Sequence, residues 1–340
     1  MPDEHNPILM PTALDVKICE MAPRDGLQYL GGKNAAETGR IIPLEARVRL
    51  IDGMIAAGIR HIEVGAFVSP KGTPQMALSD DLGRALRAKM ADGLELAALV
   101  PNEAGYQRFK ASGLNVVAIF PTASEAHASK NFGGRTVDEV LSMAGEVSRL
   151  AQKDGYSLRG HVSAAFQDMA TAAAGSDVET VARVCRVVLE DFGCEYLTLA
   201  DTNGTTNPAR VGEVLDAVGT TLGGLDRIGV HLHDRYGTGV ANAYAAWQKG
   251  VRIFDSSLGG VGGSVAASAV GGGGMVGNVA TESLVAMFEG MGVRTGIKVD
   301  ALMDGAGAVL KEICDAAGEF SPPSGMLRDR LGFGVRWEKA

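Results

Sequence analysis

Short apolar runs alternate with amphipathic stretches along nearly the whole chain. Eight runs read as strands: Val16–Glu20, His61–Ala66, Glu95–Val100, Val116–Phe120, Leu158–Ser163, Tyr196–Asp201, Ile228–Asp234 and Arg252–Leu258. Most are rich in Val, Ile or Leu and lack clean alternation, the pattern of strands covered on both faces in a parallel sheet. Segments with helical apolar spacing lie between them. Pro43-Leu44-Glu45 opens one that runs to Ala57, with Gly58 as its stop. Pro101-Asn102-Glu103 opens another, ended near Gly113, and Thr136-Val137-Asp138-Glu139 has the form of a capping box. Further helices are predicted at 176–191, 208–221, 238–249, 280–290 and 300–317. Eight strands alternating with helices predict a (β/α)8 TIM barrel, for which roughly 250 residues are typical; an open doubly wound sheet is the competing architecture. No composition break divides the chain. The expectation is one α/β barrel domain over residues 14–298 and a C-terminal helical extension over 299–340.

The chain has 340 residues and a formal net charge of −8, with no Lys/Arg block. That balance argues against nucleic acid or an anionic membrane as the main partner. No apolar run approaches the roughly 20 residues that span a bilayer, and the first residues lack the pattern of a secretory signal. A cytoplasmic protein is expected. Cys19, Cys185, Cys194 and Cys314 are scattered, without a CxxC, and read as reduced core thiols.

Catalytic groups of such barrels sit at the C-terminal strand ends and in the loops that follow. The unusual polar residues fall there: Arg24, Asp25 and Gln28 after the first strand, Glu63 on the second, Ser124-Glu125 after the fourth, and His161 and Ser163 on the fifth. Asp201 ends the sixth, and the seventh carries His231, His233 and Asp234. Residues two apart on a strand share a face, so His231 and His233 point one way. Paired imidazoles on a buried face favour a shared cation, although two hydrogen-bonded core histidines would give the same pattern. With Asp25 and Asn278, the set of two nitrogens, a carboxylate and an amide oxygen suits Mg²⁺ or Mn²⁺ better than zinc. Gly259–Asn278 holds nine glycines, too flexible for regular packing, and reads as a lid over the site or a surface loop. Its Gly272-x-Gly274-x-x-Gly277 follows no credible strand, so it is weak support for a dinucleotide site.

Several segments together resemble one known family. They are Val16–Gln28 (VKICEMAPRDGLQ), Phe67-Val-Ser-Pro-Lys71, Arg159-Gly-His-Val-Ser163, Ala200-Asp-Thr-Asn-Gly204, His231-Leu-His-Asp-Arg-Tyr-Gly237, Asp255-Ser-Ser257 and Gly277-Asn-Val-Ala-Thr-Glu282. In order and spacing, from about Val16 to Gly296, the chain resembles the acyl-CoA lyase branch of the DRE-TIM metallolyases, of the 3-hydroxy-3-methylglutaryl-CoA lyase type. The resemblance implies Mg²⁺ or Mn²⁺ held by Asp25, His231, His233 and Asn278. It implies Arg24, Glu63 and Asp201 as catalytic or supporting groups, an acyl-CoA substrate and a homodimer. The implied reaction is retro-Claisen cleavage, with His233 or Asp25 as base, Arg24 on the enolate oxygen, and Gln28, Ser163 and Arg235 available to substrate. Three departures stand out. Ser264 occupies the place of the family's lid cysteine, the lid is longer, and Arg235 and His161 replace the usual Thr and Tyr. A Claisen-condensing synthase of the isopropylmalate or citramalate kind, a pyruvate-forming aldolase and a non-catalytic barrel scaffold are the alternatives.

Overall fold

A computed structural model describes residues 14–28, 30, 35, 37–90, 93–167, 176–262 and 276–317. Eight parallel strands close in sequence order into a barrel: β1 (Lys17–Glu20), β2 (His61–Ala66), β3 (Glu95–Leu99), β4 (Val116–Ile119), β5 (Ser157–Val162), β6 (Tyr196–Asp201), β7 (Ile228–Leu232) and β8 (Ile253–Ser256). Each lies within about a residue or two of its expected range. The helices are α1 (Leu44–Ala56), α2 (Ser79–Leu86), α3 (Glu103–Ser112), α4 (Glu125–Asn131), α5 (Val137–Lys153), α6 (Val178–Arg186), α7 (Pro208–Leu222), α8 (Gly239–Gln248), α9 (Thr281–Gly290), α10 (Val299–Leu302) and α11 (Ala308–Ala317).

Local chemistry explains where these helices begin and end. Asn102 accepts a hydrogen bond from the Gly105 amide at 3.0 Å to open α3, and Gly113, at φ 87°, closes it. Thr136 and Glu139 make the reciprocal capping box of α5. Two helices have no counterpart among the expectations. α2 buries Ser79 and Gly83 beside Leu82 and Leu86, so half of its inner face carries no apolar signature. A Cβ on Gly83 would lie 2.6 Å from Ser112 Cβ, so the glycine is what lets α2 press against α3. α4 is only one and a half to two turns long, begun where Ser124 Oγ accepts from the His127 amide at 3.2 Å.

The strands are covered on both faces, but the two faces differ. One set of alternate positions (Ile18, Ile62 and Val64, Leu96, Val117 and Ile119, Leu197 and Leu199, Val230, Phe254) is apolar and almost fully buried in the main core cluster. Each such side chain is worth about 1.5–3 kcal/mol of transfer energy. The other set fills the barrel with Lys17, Glu63, Glu95, Arg159, His161, Tyr196, Thr198, His231 and Asp255, also buried. Charges survive there because they are paired. Lys17 Nζ reaches Glu95 at 2.9 and 3.0 Å, and the Tyr196 hydroxyl donates to the same carboxylate at 3.1 Å.

After the barrel the chain returns over α1. The Lys298 amide donates to Ala57 O at 2.8 Å, and Leu302, Met303, Ala306, Leu310 and Ile313 enter the shared core. All four cysteines are buried and unbridged. Among the described residues, no helix is long and apolar enough to cross a membrane.

Candidate active site

The C-terminal mouth of the barrel holds a cavity of about 280 Å³ lined by Arg24, Asp25, Gln28, His161, Ser163, His231 and His233, among others. Arg24 and Asp25 reach it from a widened helical turn after β1, in which the Leu27 amide donates back to Ala22 O at 2.9 Å. Gly26 has to be glycine, since a Cβ there would lie 2.6 Å from Val261. His233 sits one residue past the end of β7 and bridges to Asn278. The flanking bonds, Asp234 N to Gly277 O at 2.8 Å and Val279 N to Leu232 O at 3.0 Å, zip the end of the glycine-rich segment onto this strand. That pairing brings Asn278 to the histidines.

Asp25 Oδ2 lies 3.9 Å from His231 Nε2 and 3.6 Å from His233 Nε2. One ligand atom from each of Asp25, His231 and His233 falls within 4.8 Å of the others, and all three residues are buried. The opposite ring nitrogens are occupied. His231 Nδ1 meets Asp255 Oδ2 at 3.1 Å, and His233 Nδ1 donates to the Asp201 carbonyl at 2.8 Å. Both rings are thereby fixed with Nε2 toward Asp25, the arrangement of metal-binding histidines. His233 Nε2 is buried without a hydrogen-bond partner, an expensive state unless something else satisfies it. A divalent cation would do so, and the donor set fits one. As placed, Asn278 turns its Nδ2 to Asp25 Oδ2 at 2.7 Å and to Val261 O at 3.0 Å. A half-turn of the amide is needed before its oxygen serves as a ligand. Gly262, at φ 126°, leaves the room for it, because a Cβ there would lie 2.2 Å from Asn278 Nδ2.

Burial works against ionising Asp25, but Arg24, His233 and His231 outweigh it and hold the carboxyl well below the usual range. Arg24 Nη1 donates to Asp25 Oδ1 at 2.5 Å and Gln28 Nε2 donates to it at 2.7 Å. Arg24 Nε donates to Glu63 Oε1. Burial likewise opposes the charge on Glu63, yet Arg24 and His161 keep its carboxyl near 2. Glu63 therefore holds Arg24 from behind.

Four of the expected groups stand as follows. Asp201 does not reach Arg24 or the cavity; its carboxylate accepts the amides of Gly204, Thr205 and Thr206 at 3.0, 3.3 and 3.1 Å and so shapes the loop after β6. Burial pushes that carboxyl up to about 6 against the pull of His233 and those amides. His233 cannot be base and ligand together, because Nδ1 is committed and a single nitrogen remains. Arg235 is not among the cavity-lining residues; its Nε donates to Asn203 O at 3.1 Å. Ser264 and most of the proposed lid lie outside the described residues.

The residues missed from sequence are those behind the site. Asp255 accepts from Arg159 Nη2 at 2.7 and 3.0 Å, from Thr198 Oγ1 at 3.0 Å and from His231. Arg159 and His161, two apart on β5, carried the same signal as His231 and His233. Beyond the metal cluster, His127, Asn131, Phe120 and Phe132 form another part of the cavity wall. Burial, with Lys130 nearby, pushes the His127 imidazole down to about 4, so it is neutral at pH 7.

Comparison with known proteins agrees with this geometry. The model of the HMGL-like family matches residues 15–309. The hydroxymethylglutaryl-CoA lyase of Pseudomonas mevalonii is 37% identical over 287 residues, covering 84% of this chain and 89% of that protein. The (R)-citramalyl-CoA lyase of Chloroflexus aurantiacus is 36% identical over 307 residues, covering 85% and 88%. The crystal structure of hydroxymethylglutaryl-CoA lyase from Pseudomonas aeruginosa superposes with a TM-score of 0.82 at 33% identity, covering 94% of this chain and 98% of that one. With the fold, the mouth residues and these matches in accord, the chain belongs to the HMGL-like family of the DRE-TIM lyases.

Proposed function

We propose that the protein is a divalent-metal-dependent carbon–carbon lyase that cleaves a 3-hydroxy-3-methylglutaryl-CoA-like thioester to a keto acid and acetyl-CoA. The observation that supports it best is the pairing of Arg24 with Asp25. One guanidinium stands beside the cluster of Asp25, His231 and His233, held from behind by a buried carboxylate. Asp25, His231, His233 and Asn278 would hold Mg²⁺ or Mn²⁺. Such an ion supplies Lewis acidity, lowering the pKa of the substrate's 3-hydroxyl and orienting it.

When the 3-hydroxyl proton passes to Asp25, the candidate base that is left, the O–H electron pair forms the C3 carbonyl and the C2–C3 bond breaks. Its electrons pass to the thioester as an enolate. Arg24, aimed by Glu63, faces the growing negative charge on the enolate oxygen, help worth several kcal/mol when preorganised in a buried site. Asp25 is a weak base, since Arg24 and Gln28 already donate to it, so the transfer relies on the lowered pKa of the hydroxyl. Gln28 and Ser163, which line the cavity, are proposed to meet the acyl group. Ser264 is proposed to return a proton to C2 of the enolate, a role in which a hydroxyl is a weaker acid than a thiol of pKa about 8.5. A homodimer in the cytoplasm is proposed on the family resemblance alone.

The test is incubation with Mg²⁺ and a panel of 3-hydroxyacyl-CoAs, then with acetyl-CoA and several 2-keto acids, following the thioesters. Acetyl-CoA release from the first panel is expected. Free CoA from the second alone would mean a synthase, and silence on both would mean a scaffold. Ser264→Cys is expected to raise cleavage of the methylglutaryl substrate; an unchanged rate would remove Ser264 from the proton-transfer step.

A further inference from the structure

His161 lines the cavity, yet both of its ring nitrogens point into the protein. Nε2 meets Glu63 Oε2 at 2.8 Å, and Nδ1 meets Thr198 Oγ1 at 2.8 Å. Glu63 in turn accepts from Arg24 Nε through its other oxygen, and Thr198 donates to Asp255, which holds the metal-facing His231. A continuous chain of hydrogen bonds thus runs Arg24–Glu63–His161–Thr198–Asp255–His231, and every member is buried. From its central position on β5, His161 joins the group that faces the enolate to the group that faces the cation.

The hydrogens can be counted. Thr198 has one, shared between Asp255 Oδ2 at 3.0 Å and His161 Nδ1 at 2.8 Å. Glu63 Oε1 is taken by Arg24 Nε–H. The Glu63 carboxylate can only accept, so the hydrogen in its contact with His161 is the ring's Nε2–H, and the bond is charge-assisted, shorter and stronger than a neutral one. Removing it leaves Glu63 fixed at one oxygen only, since its other cation, Arg159 Nη1, stands 4.0 Å away.

We propose that His161 is a positioning residue of this lyase, holding Glu63 so that Arg24 keeps one orientation relative to the His231 side of the site. The inference rests on the lyase reading for its kinetic consequence, but its structural content does not. Without His161, Glu63 would swing on its one remaining bond and Arg24, still tied to Asp25, would lose the fixed position of its Nε partner, while the cation site, tied to Asp255 and Arg159, would persist. A misplacement of about 1 Å in a preorganised group costs roughly 100-fold in rate. His161→Phe is therefore expected to lower kcat by about 10- to 100-fold, with KM and Mn²⁺ affinity changed by no more than about twofold. His161→Gln, whose amide can still donate to Glu63, is expected to recover a large part of the loss.

Two measurements test this together: steady-state cleavage of 3-hydroxy-3-methylglutaryl-CoA, and the NMR resonance of Arg24 Nε–H, identified by its loss in Arg24→Lys. The expected result is a resonance protected from exchange in the wild type, lost in His161→Phe and regained in His161→Gln, in step with kcat. A retained resonance in His161→Phe overturns the proposal, whether or not kcat falls. If His161→Phe does not fold, Thr198→Val removes the other support of the ring at nearly constant shape. An unchanged Arg24 resonance there likewise overturns it. A wild type inert toward every 3-hydroxyacyl-CoA refutes the lyase reading instead, and the resonance alone then decides the positioning.

Discussion

Asp255→Asn is the sharpest single perturbation of this barrel. The carboxylate takes two contacts from Arg159 Nη2, one from Thr198 and one from His231 Nδ1, and both it and the Arg159 side chain are at most 1% exposed. Burial disfavours its charge, but Arg159, His231 and His161 hold the carboxyl below the ordinary range. Asparagine keeps the shape and removes the charge. With its oxygen at the Oδ2 position the amide nitrogen faces Arg159 Nη2 at the Oδ1 position, and in the flipped orientation it faces the donors Thr198 and His231, so one donor is opposed either way. Breaking a buried ion pair from one side costs about 3–5 kcal/mol. At about 2 °C per kcal/mol for a domain of this size, the melting temperature should fall by roughly 6–10 °C. Losing the acceptor behind His231 should also weaken cation binding by about 10- to 100-fold. Thermal unfolding and Mn²⁺ titration of the same preparation measure both. A variant that melts within about 2 °C of the wild type and binds Mn²⁺ equally well would show that Asp255 neither neutralises Arg159 nor aims His231.

Other outcomes follow from the same geometry. His233→Ala should abolish both Mn²⁺ retention and turnover, and full activity would remove the mechanism. Gly262→Ala should keep the fold but displace Asn278, because the added carbon would lie 2.2 Å from its amide; unchanged metal affinity would show that Asn278 is not a ligand. Glu63 has a folded-state pKa lowered from 4.5 to about 2, so its contribution of about 3 kcal/mol is present above about pH 4.5 and lost as pH falls toward 2. Urea unfolding of the metal-free protein at pH 5 and at pH 2.5 should show that loss, with a shallower slope in Glu63→Gln.

The order of the strands and most of the helices, the closed barrel and the side on which Arg24, Asp25, His231 and His233 gather were legible in the sequence. They follow from local regularities: apolar runs separated by caps and glycines, and polar residues at the strand ends. What stayed hidden depends on partners 20 to 250 residues away. Nothing near Asp255 in sequence announces that it neutralises Arg159 and turns His231. α2 escaped notice because glycine and serine, not leucine, make half of its buried face. The sequence settled which chemical groups stand at the barrel mouth, because strand parity is a local property. Only tertiary structure decided which hydrogen bonds each group has left to give, because closing the barrel packs charges from strands distant in sequence side by side where water cannot satisfy them.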